Sequence, residues 1–405
     1  MRARCLGIAA IVTAAAGVLP VSAAATPAPE QTTSMEVFSP DGSIERASVT
    51  RPAADRTPAP FDAVAAVEVV PIEVNGPSES RFDLVYVGDG YTSGQLGRYG
   101  QHVRTSVSAM FEVEPFKSYR GQFNIWQVNV VSAQSGVDND PRPGVRRDTA
   151  LDMYFWCGNM ERLLCVNETK ARQYANAAPG VDQIVALANT TKYGGAGGGV
   201  ATSSGGNQQA SQIVVHELGH SVGGLADEYD YGTCDRREPR EPNATTYTAA
   251  QLRAYRYKWH RWLDQPSPDG GTVGTYQGAR YCRSGMYRPS QNSMMRQLGR
   301  PFNPPGREAM IAGFYAHAAT IDDATALSGG HFRVAVATMP SAPRITWTVD
   351  GHPVASGVTE LDVDRLGLPP GEHIVAVTVA DASPQVRDEA LRSQLRDTHS
   401  WRITR

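Results

Sequence analysis

Beyond its first residues the chain has no stretch approaching the ~20 apolar residues that a membrane-spanning helix needs. It has no block of one charge either: 38 Lys and Arg face 41 Asp and Glu, a net charge of −3 over 405 residues. The basic stripe of a sequence-independent nucleic-acid binder is missing, which excludes that class of partner. Tandem repeats are absent. The five cysteines include no C-x-x-C spacing, which argues against a four-cysteine zinc site. No G-x-S-x-G elbow surrounds Ser203 or Ser204, and the glycine run from Gly194 to Gly199 lacks the Lys-Ser/Thr of a phosphate-binding loop.

What is present begins with a leader. Arg2 and Arg4 precede an apolar run from Leu6 to Val18, and Val21-Ser22-Ala23-Ala24-Ala25 offers small residues for cleavage. Residues 1–24 read as a signal peptide, and the mature chain is expected to be exported without a membrane anchor and monomeric. Loss of Cys5 with that leader leaves Cys157, Cys165, Cys234 and Cys282. An even number in an exported chain implies two disulfides. The pairings favoured are Cys157–Cys165, close in sequence, and Cys234–Cys282, closing a long loop.

The remainder divides into three stretches. Residues 25–78, rich in Ala, Thr, Pro and Ser, read as an N-terminal linker with short strands at Met35–Phe38, Ile44–Val49 and Val67–Val74. From 79 to 327, strand-like runs (Phe82–Val87, Phe123–Val131, Val181–Leu187) alternate with helical patterns. Helices are expected from Leu96 to Met110, around Ala171–Ala178, and from Gln208 to Val222. Alternation of this kind implies an α/β layer with a mixed, mostly parallel sheet. One short helix is expected around Ala249–Leu263 and another from Glu308 to Ala319, with Met310, Phe314 and His317 on one face. From 328 to 405 the period changes to two, as in Ile345, Trp347 and Val349 or Val375, Val377 and Val379, which predicts a small all-β sandwich.

The chemistry lies in His216-Glu217-Leu218-Gly219-His220, within the expected helix Gln208–Val222. Histidines four apart share one helix face, so both imidazoles can bind a single Zn²⁺. Glu217, beside the first of them, can reach a metal-activated water as general base. A surface pair of histidines is the plain alternative. For the third ligand, Gly223 stands where glycine-turned zincins break the helix, but Ala226 stands where they carry His. One extra residue in the turn, allowed by Gly224, would bring Asp227 to the metal. Glu228 is the reserve; Glu238 and Glu241 lie in a proline-flanked stretch, and His260 sits between Trp259 and Trp262.

Several other residues are candidates for supporting roles. Met295, in Ser293-Met294-Met295, would form a methionine floor beneath the metal, and Tyr281 or Tyr287 could stabilise an oxyanion. The glycine run at 194–199 could be an edge strand to which an extended substrate adds. Asp138, Asp140 and Asp148 are a weak Ca²⁺ candidate, because they lack the EF-hand pattern.

The stretch HELGHSVGGLADEY (216–229) resembles the IgA-peptidase family of secreted zinc metallopeptidases, distant relatives of the metzincins. The likeness extends through DLVYVGDGYT (83–92), PFKSYRGQFNIW (115–126), RDTALDMYFWCG (147–158), GTYQGARYCRSGMYRPSQNSMMR (274–296) and the C-terminal strands. It differs from the family where Gln277 stands for a common acidic residue and Ser293 for a common Cys, and its N-terminal region is shorter than in longer members. The resemblance implies a zincin-like catalytic domain that cuts peptide bonds, with His216, His220 and Asp227 as ligands of one zinc ion and Glu217 as catalytic base. Its partner would be a protein or peptide substrate. Rival readings are a zinc amidase acting on cell-wall peptides and a secreted binding protein with an inactive peptidase domain.

Overall fold

Alternate residues of one central strand divide the molecule's two main apolar clusters. In β4 (Phe82–Asp89), Phe82, Leu84 and Tyr86 point to one face of the sheet, while Val85 and Val87 point to the other. All eight residues of the strand are buried, as expected of a strand covered on both faces. The computed structural model describes residues 31–51, 67–231 and 234–405. The expected signal peptide lies outside these residues.

The described residues begin with a hairpin, β1 (Gln31–Phe38) and β2 (Ile44–Arg51), whose strands pair with each other. Next come β3 (Val69–Glu73), β4, the helix α1 (Leu96–Phe111), β5 (Phe123–Val128) and α2 (Glu168–Ala175). Then follow β6 (Gln183–Ala188), β7 (Gly195–Ala196), β8 (Ala201–Ser204) and α3 (Ser211–Ser221). A mixed sheet of six strands runs in the order β3-β5-β4-β6-β8-β7. Its four inner strands are parallel, and β3 and β7 close the two edges antiparallel. Helices α1 and α3 cover the face of Leu84 and Tyr86, while Ala171 and Ala175 of α2 cover the other.

After α3 come α4 (Ala249–Tyr255), the hairpin β9 (Tyr276–Ala279) and β10 (Cys282–Arg288), and α5 (Pro304–Phe314). The helix expected over Ala249–Leu263 is broken. Arg256 adopts a left-handed conformation (φ 52°) that ends α4, and a short 3₁₀ turn at Lys258–Trp262 follows. The other late helix starts earlier than its apolar pattern suggested. Asn303 caps it by accepting a bond from Gly306 N at 3.0 Å, and Pro304 and Pro305 supply its first turn. His317 falls beyond its end and pairs with Asp182 at 2.8 Å.

The C-terminal strands form two antiparallel sheets. One contains β11 (Ile321–Ala326), β12 (His331–Val336) and β15 (Glu360–Asp362). The other contains β13 (Arg344–Val349), β14 (His352–Ser356), β16 (Glu372–Ala380) and β17 (Arg396–Thr404). They share one apolar cluster built on Phe332, Trp347, Leu361 and Val377. Arg81, 1% exposed, ties this part to the mixed sheet through Asp322 at 2.5 Å. Both expected disulfides, Cys157–Cys165 and Cys234–Cys282, are formed. No helix among the described residues is long and apolar enough to cross a membrane.

Candidate active site

Helix α3 is apolar on most of its circumference, with Ile213, Val214, Val215 and Leu218 all buried against the sheet and α1. That burial fixes the helix, and its remaining face carries His216 and His220. The rings are held by main-chain carbonyls: His216 Nδ1 donates to Met294 O at 3.0 Å, and His220 Nδ1 donates to Leu225 O at 2.6 Å. A carbonyl can only accept, so each Nδ1 carries a proton, and in the neutral ring each Nε2 presents a lone pair. The two Nε2 atoms lie 3.1 Å apart.

The helix ends where Gly224 turns with φ 59°, and Leu225 N returns to bond Gly219 O at 3.1 Å. This reversal brings Asp227 back to the histidines. Its Oδ1 lies 3.2 Å from His220 Nε2 and 3.5 Å from His216 Nε2, and it has no hydrogen-bond donor among the described residues. Its Oδ2 accepts from the Tyr281 hydroxyl. Asn243 fixes the loop by bonding Ala226 N at 2.7 Å and Ala226 O at 2.8 Å.

A fourth donor, absent from the sequence-based set, comes from the hairpin. Glu36 on β1 places Oε2 3.2 Å from His216 Nε2 and 3.5 Å from His220 Nε2, while Oε1 accepts from the Tyr229 hydroxyl. Glu36, His216, His220 and Asp227 thus offer four ligand atoms within 4.8 Å of one another. Two carboxylate oxygens facing two imidazole nitrogens call for positive charge between them, supplied either by a bound cation or by protons on the rings. Burial works against charge on His216, yet the Glu36 and Asp227 carboxylates outweigh it and raise its pKa to about 10. The same balance lifts His220, with Asp227 as the main opposing charge. The donor set fits a divalent metal ion.

Glu217 is 6% exposed and turns from the same helix toward the glycine run. A Cβ on Gly197 would come within 1.9 Å of its Oε2, so the carboxylate lies directly on the glycine backbone. Burial, then the nearby Glu36 carboxylate, push its pKa up to about 7. Its Oε1 has no protein partner among the described residues. Ser34, Met35, Glu36, Gly197, Glu217 and Tyr281 line a cleft of about 510 Å³ beside His220.

The methionine segment lies beneath α3. A Cβ on Gly219 would come within 2.5 Å of Met295 Sδ, so glycine is what lets the helix rest on Met295. Glu228, the reserve ligand, points elsewhere. Its carboxylate accepts from Ser293 Oγ at 2.6 Å and from Asn243 and Asn303 Nδ2 at 2.9 Å each, bracing the loop against the methionine segment. Glu238 pairs with Lys258 at 3.0 Å and Glu241 with Arg280 at 3.2 Å. Tyr287 bonds Gln277 at 3.3 Å, whereas Tyr281 is at the site. His260 stays in the 3₁₀ turn with Trp259 and Trp262. Asp138 is taken by Arg146 at 2.8 Å and Asp140 by Thr190 at 2.5 Å, while Asp148 N bonds Gln134. None of these three joins a group of metal donors among the described residues.

The model of the IgA Peptidase M64 family matches residues 70–270 and 264–314, which span the mixed sheet, α3, the Asp227 turn and the methionine segment. The chain belongs to the IgA peptidase M64 family. It is therefore a peptidase, and a peptide is its substrate. The match stops before the C-terminal sheets and begins after the hairpin that carries Glu36. No curated protein matches the chain at a significant level.

Proposed function

We propose that this M64 peptidase is an exported, zinc-dependent endopeptidase whose ion is held by His216, His220 and Asp227. What carries the reading is the inward-facing set of acceptor atoms on those residues, 3.1–3.5 Å apart, inside a chain of a peptidase family. Two neutral imidazoles and a carboxylate suit zinc, whereas calcium and magnesium favour all-oxygen sets. When bound, zinc supplies Lewis-acid polarisation of the scissile carbonyl and acidifies a water molecule.

The chain's own residues do the rest. Met294 O and Leu225 O hold the imidazoles in the tautomer that presents Nε2, and Tyr281 orients Asp227. Glu217, with one carboxylate oxygen free, accepts a proton from the attacking water and delivers it to the leaving amine. The edge strand β7 and the glycines after it give an extended peptide a main-chain partner. The basic and apolar leader and the two disulfides support export.

The test is metal analysis of purified protein together with hydrolysis of casein. One zinc per chain is expected, and Glu217→Ala should keep that zinc and the fold while losing about 10²–10⁴-fold in kcat. Full activity of Glu217→Ala would remove Glu217 from the mechanism.

A further inference from the structure

We propose that strand β1 is an internal occupant of the substrate cleft, with Glu36 as a displaceable fourth metal ligand, so that the full chain is latent. The inference rests on the zinc-peptidase reading and adds a regulated state to it. Catalytic zinc sites keep three protein ligands and leave the fourth position open for water or substrate, whereas four protein ligands close a site. Here the fourth position is taken. Glu36 Oε2 approaches the two imidazoles at the same 3.2 and 3.5 Å as Asp227 does.

Glu36 is placed as a ligand of the cleft rather than as part of its frame. One carboxylate oxygen faces the histidine pair and the other takes the Tyr229 hydroxyl. Its neighbours Ser34 and Met35 line the same cleft, on the side of Gly197 and Gly198. Met35 and Val37 share an apolar cluster with Ala196 of the edge strand β7 and with Leu163. Phe38 meets the His216 ring edge-on at 5.4 Å, and Arg46 of β2 covers the Tyr281 ring at 3.9 Å. An extended segment of this chain thus covers the edge where an extended substrate would add.

Release of the hairpin would uncover Phe38 and Ile44, which pack in the main apolar cluster, and break the bonds of Leu298 N to Gly42 O and Arg162 Nε to Phe38 O, but it would leave the mixed sheet whole. The hairpin strands pair with each other and with no strand of the mixed sheet, so lifting them breaks no ladder of the catalytic body. An isolated two-stranded hairpin is marginally stable in water, so its order depends on packing Phe38, Ile44, Val37 and Val49 against the catalytic body. His216, His220 and Asp227 all lie on elements outside it.

The experiment uses the zinc-loaded full chain, its Glu36→Ala and Glu36→Gln variants, and Glu45→Gln on the exposed side of β2 as control. Calorimetry with a peptide hydroxamate reports access to the metal, and zinc content and casein hydrolysis are measured alongside. A tethered competitor acts at an effective concentration of about millimolar, so both Glu36 variants should bind the hydroxamate at least ~10-fold more tightly than the unaltered chain. They should retain one zinc and cut casein faster by a similar factor, with Glu45→Gln unchanged. Unaltered hydroxamate affinity in both variants would overturn the proposal, as would loss of zinc from both, which would make Glu36 a permanent ligand. Tighter hydroxamate binding without casein cleavage in any form would uphold the occlusion and sink the endopeptidase reading instead.

Discussion

The Glu217 carboxylate rests on the backbone of Gly197, so close that a single added methyl group would lie 1.9 Å from Oε2. The glycine run therefore has a steric duty as well as an extended shape. Gly197→Ala should push the carboxylate out of line without touching a metal donor. Misplacement by about 1 Å can cost about 100-fold in rate, so kcat/KM on a peptide substrate should fall on that scale while zinc content stays at one per chain. Parallel loss of zinc would show that Gly197 shapes the metal site rather than the base.

Asp227 and Glu228 are adjacent in sequence yet face different partners, which makes them separable. Asp227→Ala removes a donor from the histidine pair, and zinc affinity should fall by more than the ~100-fold typical of losing only an outer-shell partner. Glu228→Ala removes the acceptor of Ser293, Asn243 and Asn303. Donors left short in a buried setting should cost about 1–3 kcal/mol, lowering the Tm while the folded protein keeps its zinc. Equilibrium dialysis against zinc and thermal unfolding of both variants distinguish the two; zinc lost from Glu228→Ala alone would exchange their roles.

Removing the metal should destabilise the protein, because the ion that joins four ligand atoms within 4.8 Å of one another is lost. Zinc present at a thousand times its Kd contributes about 4 kcal/mol through its preference for the folded state. A chelator should therefore lower the Tm by several degrees, and zinc should restore it. Calcium should not, since two of the donors are imidazoles. Recovery with calcium but not zinc would refute the metal assignment.

How legible the site was follows from distance along the chain. His216, Glu217 and His220 lie within one helical turn, so spacing predicts that they share a site, whereas the glycine turn points to Asp227 with Glu228 in reserve. Glu36 is 180 residues away from His216, a single carboxylate on a strand, and no periodicity distinguishes it from any solvated glutamate. The stretch at 25–78 accordingly read as a linker, although its 31–51 part packs over the cleft. The alternation of β4, β5 and β6 with helices announced the parallel core, because strands covered on both faces must be apolar throughout. The break after Tyr255 was illegible for the opposite reason: Arg256 has no side-chain signal for its left-handed φ of 52°.

The two disulfides should differ in what they protect. Cys234–Cys282 spans 48 residues and ends beside Tyr281, whose hydroxyl holds Asp227; Cys157–Cys165 spans 8 and lies with Met35 and Val37 under the hairpin. In the chain-entropy model a 48-residue closure is worth about 4 kcal/mol and an 8-residue one about 2.5 kcal/mol. Replacing Cys234 and Cys282 with Ser should therefore lower the Tm further than replacing Cys157 and Cys165. It should also speed zinc release to a chelator, because the β9–β10 turn that carries Tyr281 loses its covalent anchor to the chain just after Asp227. The Cys157/Cys165 pair of substitutions should leave the zinc off-rate nearly as it was. Equal off-rates for both variants would mean that Asp227 is held by Asn243 and the methionine segment alone, with the covalent link serving only global stability.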